Sequence, residues 1–127
     1  MLLLDTHAYY WFVADDERLP QTAKTQIEME KEVFVSIVSF WEMAIKASLG
    51  KLTLPQPIQI MMDDAVQRGF NLLPIGGAHL EKLSLLPWIH RDPFDRLLIC
   101  QAQAEGLTLV SADENIRKYD VKTLWKD

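Results

Sequence analysis

Four acidic side chains stand where short apolar runs end or helical patterns begin. Asp5 closes "MLLLD", Glu42 lies in "VSFWEMAIK", Asp95 in "HRDPFDRLLICQA", and Asp113 follows "LTLV" in "SADEN". Gathered in one place, such carboxylates repel one another and raise their own pKa values unless a cation pairs them. Hard divalent ions take oxygen ligands of this kind, and Mg²⁺ in particular combines a few carboxylates with water and substrate phosphates. The set therefore predicts Mg²⁺ or Mn²⁺ held by Asp5, Asp95, Asp113 and Glu42, directly or through water. His7, His79 and His90 show no H-x-x-x-H spacing, and with one cysteine there is no C-x-x-C pair, so a zinc centre with nitrogen and sulfur ligands is not expected. The "GGAHLEK" stretch lacks the G-x-x-x-x-G-K spacing of a phosphate loop and reads as a turn and helix start.

The acids meet only if the fold brings them together. Short apolar runs alternate with longer helical patterns, the signature of an α/β domain on a parallel sheet. Strands are predicted at Met1–Asp5, Val33–Ile37, Phe70–Leu73, Leu107–Val110 and Val121–Trp125, with helices over about 6–14, 21–31, 40–49, 57–68, 78–84, 94–105 and 114–119. In a parallel sheet each connecting helix runs back along the strands, so helix N-termini and strand C-termini share one edge, where open α/β sheets bind ligands. All four acids fall on that edge. Gly50 and Gly69 serve as helix stops, and Pro57 suits the first turn of its helix.

Capping offers a plainer account of the same residues. Ser39 to Glu42 and Ser111 to Glu114 have the S-x-x-E spacing of a capping box, and Asp92-Pro93-Phe94-Asp95 supplies an N-cap acid, Pro at N1 and an acid at N3. Capping leaves two acids over. The second box is complete without Asp113, and Asp5 ends an apolar strand with no evident need of a charge. Asp92 and Asp95 then divide the work, Asp92 capping and Asp95 facing the acidic edge.

The 127 residues suit one domain, predicted to span 1–127, and the 49% hydrophobic and 24% charged composition is that of a compact soluble protein. Cys100, the only cysteine, lies in an apolar run and reads as a buried small hydrophobe, which excludes a disulfide framework. No apolar run approaches the roughly 18 residues of a membrane span and the N-terminus has no basic leader, so no membrane association and a cytoplasmic location are expected. A net charge of −5 argues against bulk electrostatic binding of nucleic acid, unless bound cations reverse the sign locally.

The ordered runs "LLLDTHAYYWF", "VSFWEMAIKASLGKL", "HRDPFDRLLICQAQAEGLTLVSADENI" and "YDVKTLW" resemble the PIN-domain ribonucleases, specifically the VapC-type toxins of bacterial toxin–antitoxin pairs. The resemblance spans nearly the whole chain. It implies a three-layer α/β/α sandwich with strand order 3-2-1-4-5, and it makes Asp5, Glu42, Asp95 and Asp113 both the metal ligands and the catalytic acids. Thr6, Ser39 and Ser111 match small hydroxyl positions that orient the acids or metal waters. The implied activity is Mg²⁺- or Mn²⁺-dependent endonucleolytic cleavage of RNA by a metal-activated water, leaving 5′-phosphate and 3′-hydroxyl ends. The implied partners are an RNA substrate, a VapB-like antitoxin and a second copy of the chain in a homodimer.

Around the acids, Lys46 has the favourable Glu-to-Lys spacing to Glu42 and reads as a surface pair, with an RNA phosphate contact as the alternative. Arg91 and Arg96 flank the acids and offer phosphate contacts, against simple solvated pairing. Tyr9, Tyr10, Trp11, Phe12 and Trp41 divide between the core and an apolar interface. Two rivals on similar sheets lack their acids: a phosphoacceptor receiver needs an Asp ending its third strand, where "FNLLPIGG" has none, and a haloacid-dehalogenase-type phosphatase needs an acid where His7 stands. A catalytically degenerate PIN-like binding or regulatory module remains the alternative to the nuclease.

Overall fold

A computed structural model describes residues 1–125. Five strands, β1 (Leu2–Leu4), β2 (Val33–Ser36), β3 (Asn71–Leu73), β4 (Thr108–Val110) and β5 (Thr123–Leu124), form one sheet in the order 3-2-1-4-5. Every pairing is parallel. The helices are α1 (Thr6–Val13), α2 (Gln21–Met29), α3 (Ile37–Ser48), α4 (Ile58–Gln67), α5 (Gly77–Leu85) and α6 (Pro93–Glu105).

Central β1 shows why the fold has three layers. Its residues are all buried, and they alternate between two apolar cores: Leu2 and Leu4 pack with Tyr9, Phe40 and Met61, whereas Leu3 packs with Leu98, Ile99 and Leu109. A period of two sends consecutive side chains to opposite faces, so a strand apolar throughout must be covered on both. Full burial of each leucine contributes about 1.5 to 3 kcal/mol, and β1 is tied to both β2 and β4 by its backbone ladder.

Two expectations about helix starts are corrected. β2 passes directly into α3, so Ser36, not Ser39, is the N-cap, its hydroxyl accepting from the Val38 N–H at 3.0 Å. The Ser39–Glu42 capping box therefore does not form; both residues lie within the helix and are buried. The predicted helix over 114–119 is a single 3-10 turn at Ile116–Lys118, and the Ser111–Glu114 box is absent as well. There the Ser111 hydroxyl accepts from the Asp113 N–H at 3.0 Å, and Asp113 Oδ1 accepts from the Asn115 N–H at 2.8 Å. Such local side-chain bonds compete with helix formation. A smaller shift moves Pro57 from the first turn of α4 to its N-cap.

α6 matches its sequence signals at both ends. Asp92 Oδ1 accepts from the N–H groups of Phe94 and Asp95 at 2.9 and 3.0 Å, Pro93 occupies N1, and Gly106 closes the helix at φ +68°. A buried bond registers the helix on the sheet: Ser36 Oγ donates to Gln101 Oε1 at 2.6 Å, and Gln101 Nε2 donates to the Pro74 carbonyl at 3.2 Å. Beyond its own chain neighbours and helix backbone, no atom lies within 4 Å of where a Gly106 side chain would begin, so only its left-handed backbone requires glycine. Gly106→Ala should lower unfolding stability by about 1 kcal/mol in urea denaturation with the fold unchanged; an unaltered midpoint would show that the αL cap carries no stability.

Candidate metal centre

β1 ends at Leu4, and Asp5 follows it with its backbone N–H still bonded to the Val110 carbonyl on β4 at 3.0 Å. Its side chain turns to cap α1, Oδ1 accepting from the Ala8 N–H at 2.8 Å. The strand therefore does need this acid: Asp5 is a cap as well as an edge residue, because α1 begins at the very next position. Glu42 enters from the second turn of α3, Asp95 from the first turn of α6, and Asp113 from the loop after β4. With Thr6, His7, Lys46, Asp92 and Ala112, the four predicted acids line one cavity of about 210 Å³.

The hydroxyl residues take distinct places. Thr6 Oγ1 donates to Glu42 Oε1 at 2.7 Å and lies 3.0 Å from Ser39 Oγ, and all three residues are buried. This chain of contacts crosses from α1 to α3 and fixes the Glu42 carboxylate. The other Glu42 oxygen accepts from Lys46 Nζ at 2.5 Å. Because Glu42 is buried, this is a cavity-wall pair and not the surface pair that the i, i+4 spacing predicts. Ser111, whose hydroxyl accepts from the Asp113 N–H, favours the charged form of Asp5.

Mutual repulsion is visible in the acids themselves. Burial pushes the Asp95 carboxyl up to about 8, with the charges of Asp92, Asp113, Asp5 and Glu42 adding in the same direction. Asp5 is also raised, chiefly by burial and further by Glu42; bonds from Ser111 and the Ala8 N–H and the nearby His7 oppose the shift. A site of this composition holds protons unless a cation replaces them. Its acids and hydroxyls offer oxygen donors that suit a hard divalent ion, with the His7 imidazole the one nitrogen acceptor in the lining. Yet among the described residues no three acid, imidazole or thiol side chains close into a ready-made ion cage. Mg²⁺ tolerates such a loose arrangement, since waters fill much of its shell, and Glu42 already has both oxygens engaged.

Several neighbours differ from their sequence reading. Arg96 is buried at 2% exposure, so it offers neither a phosphate contact nor a solvated pair. Its guanidinium donates to the carbonyls of Pro87 and Leu86 at 2.7 and 3.1 Å and to Tyr119 Oη at 3.2 Å. Arg91 is exposed and makes no ion pair among the described residues. Tyr119 carried no functional signal in the sequence, yet its hydroxyl is a junction. It accepts from the His90 N–H at 3.1 Å and from Arg96, which leaves its own proton for His90 Nδ1 at 2.9 Å. That sets the proton of a neutral His90 on Nε2, which faces Asp95 Oδ2 at 3.5 Å. Asp92 combines its capping duty with a place in the cavity wall. Of the aromatic set, Tyr9 is core, Tyr10, Trp11 and Phe12 pack partly buried against it, and Trp41 is exposed. A larger groove of about 430 Å³ between Tyr9, Met61 and Arg68 lies apart from the acids and contains none of the four.

Known proteins share this architecture. Ribonuclease VapC22 of Mycobacterium tuberculosis is 29% identical over 120 residues, which cover 93% of this chain and 91% of that protein. VapBC2 from Rickettsia felis, solved bound to a DNA fragment from its promoter, superposes with a TM-score of 0.74 at 14% identity, covering 99% of this chain and 98% of the matched one. FitAB bound to a DNA fragment gives 0.70 at 14% identity over 98% of this chain and 94% of the other. At those identities the two structures establish the fold, the three-layer sandwich on a 3-2-1-4-5 parallel sheet. The PIN domain family model matches residues 2–122, and the chain accordingly belongs to the PIN-domain family.

Proposed function

We propose that this PIN domain is a VapC-type toxin of a toxin–antitoxin pair: an Mg²⁺- or Mn²⁺-dependent endoribonuclease restrained by a VapB-like antitoxin. The observation that carries the reading is the convergence of Asp5, Glu42, Asp95 and Asp113 on one cavity, with Asp95 held at about 8 by burial and its acidic neighbours. RNA as substrate is supported by the likeness to a protein named a ribonuclease over 93% of the chain. The antitoxin, a homodimeric state and a cytoplasmic location belong to the same proposal. Among the described residues no helix is long and apolar enough to cross a membrane.

In this reading Asp5, Asp95 and Asp113 supply the direct carboxylate ligands, and Glu42 acts through water or by exchanging its Lys46 partner. A divalent ion there supplies acidity to water and neutralises charge developing on the scissile phosphate. The protein's own part is to hold the oxygens still. Asp5 is oriented by the Ala8 N–H, and Glu42 by Thr6. All four acids line the same cavity, which supports the nuclease over the binding-only alternative.

Two measurements test the proposal. Asp95→Asn should fold and lose RNA cleavage by about a hundredfold or more, mapped as cleavage ends on total cellular RNA. Asp92→Asn keeps the cap, because an amide oxygen accepts the same two N–H bonds, and should stay within about tenfold of the parent. Equal cleavage by the parent and the Asp95 variant sinks the assignment; loss only in the Asp92 variant reverses the two roles.

The second measurement is thermal. A carboxyl raised to about 8 in the folded chain binds a proton that the unfolded chain has released, so metal-free stability falls as pH rises from about 4 towards 8. Asp5, also raised, acts with the same sign. Divalent ion binds the ionised acids and should raise the melting temperature more at pH 8 than at about pH 6, a difference that both Mg²⁺ and Mn²⁺ should show. Identical melting curves with and without ion at both pH values would refute the metal assignment.

A further inference from the structure

Beside the acidic cavity, across the segment Arg91–Pro93, lies a second cavity of about 240 Å³ lined by Leu83, Trp88, Arg91, Pro93 and Arg96. Its lining holds two guanidinium groups and no carboxylate, although the chain as a whole carries −5. Trp88 is 78% exposed, an unusual state for an indole with room to pack. It is nevertheless not loose. The Arg96 guanidinium lies 3.8 Å from the ring centroid, covering one face, and is itself fixed by the Leu86 and Pro87 carbonyls and Tyr119 Oη. Desolvating a guanidinium is costly unless its donors are satisfied, so the backing of this ring is a built feature. The opposite face is left to solvent.

We propose that the free face of Trp88 is a stacking platform for one nucleobase of the RNA substrate, with Arg91 pairing the phosphate beside it. This rests on the ribonuclease reading and deepens it, by naming how the strand is held next to the acids. A base presents the flat π-face that an indole takes, and a single strand splays its bases out for such contacts. The same short segment serves both cavities: Asp92 walls the acidic one, while Arg91 and Pro93 wall the other. A base on Trp88 therefore lies alongside a phosphate presented to the carboxylates. The sign of the charge favours RNA over a second copy of the chain. An isologous contact centred on this patch would bring the exposed Arg91 towards the same residue of the second copy, with the buried Arg96 charge behind each, whereas a polyanion neutralises it.

The test uses the full chain carrying Asp95→Asn, which prevents cleavage, titrated with a fluorescently labelled single-stranded RNA of mixed sequence. Adding Trp88→Ala should weaken RNA affinity by about tenfold, while Trp88→Phe, which keeps a stacking ring, should restore most of it. Arg91→Ala should weaken binding and lower the slope of log affinity against log salt by about one unit of charge. Because Trp88 is exposed, circular dichroism and melting temperature should be unchanged in all three. Unchanged RNA affinity in Trp88→Ala, with Asp95-dependent cleavage intact in the parent, overturns the platform and leaves the nuclease reading standing. No RNA binding or cleavage by the parent overturns both. A Trp88→Ala variant whose only change is a smaller oligomer by light scattering shows that the patch joins two copies, and overturns the proposal.

Discussion

Like charges are held together at one sheet edge, and much of the surrounding structure serves to hold them there. Left free, four carboxylates would swing apart into water. Three are instead restrained by bonds that also serve the fold, Asp5 by the first turn of α1, Glu42 by Thr6 and Lys46, and Asp113 by the backbone of its own loop, while Asp95 is held by its place in the first turn of α6. Helix N-termini favour negative charge by about 0.3 to 1 kcal/mol, which offsets only part of the mutual repulsion. Burial chiefly, with the repulsion adding to it, pushes the carboxyls of Asp5 and Asp95 above their ordinary values.

The same economy extends away from the acids through Tyr119. Its hydroxyl joins the 3-10 turn region to His90 and Arg96, and through His90 it faces Asp95. Arg96 in turn backs Trp88. One phenol thus links the surroundings of Asp95 to the shape of the neighbouring cavity across the Arg91–Pro93 segment. A purely structural tyrosine would need one hydrogen bond. This one uses its donor and both acceptor positions.

The element order and the four acids were legible in the sequence because periodicity and parallel-sheet geometry are both local rules applied repeatedly. The strand order was not; it came from the resemblance, since pairing partners far apart in the chain leave no periodic trace. The capping boxes failed for a physical reason. S-x-x-E is as compatible with a helix interior as with its start, and Ser36 lay three residues earlier with the sheet ending beside it. Asp5 shows the reverse error, because an acid that ends a strand can cap a helix when no loop intervenes. Arg96 and Tyr119 were illegible for a third reason. A guanidinium beside acids suggests solvent or phosphate, and only the packed chain reveals three oxygen partners that burial brings within reach.

Capping and metal ligation are therefore not competing accounts of these residues. A carboxylate has two oxygens, and in Asp5 the one that accepts from Ala8 leaves the lone pairs of the other for a further donor. Asp92 likewise spends a single oxygen on two N–H donors while standing in the cavity wall. The cap fixes the rotamer, and a fixed rotamer aims the remaining lone pairs without further loss of side-chain entropy. Asp95 receives no such backbone bond and depends on packing and His90 instead. Burial, with the charges of its acidic neighbours adding, pushes its carboxyl up to about 8, so its protonation is bound to how this edge of the sheet is packed.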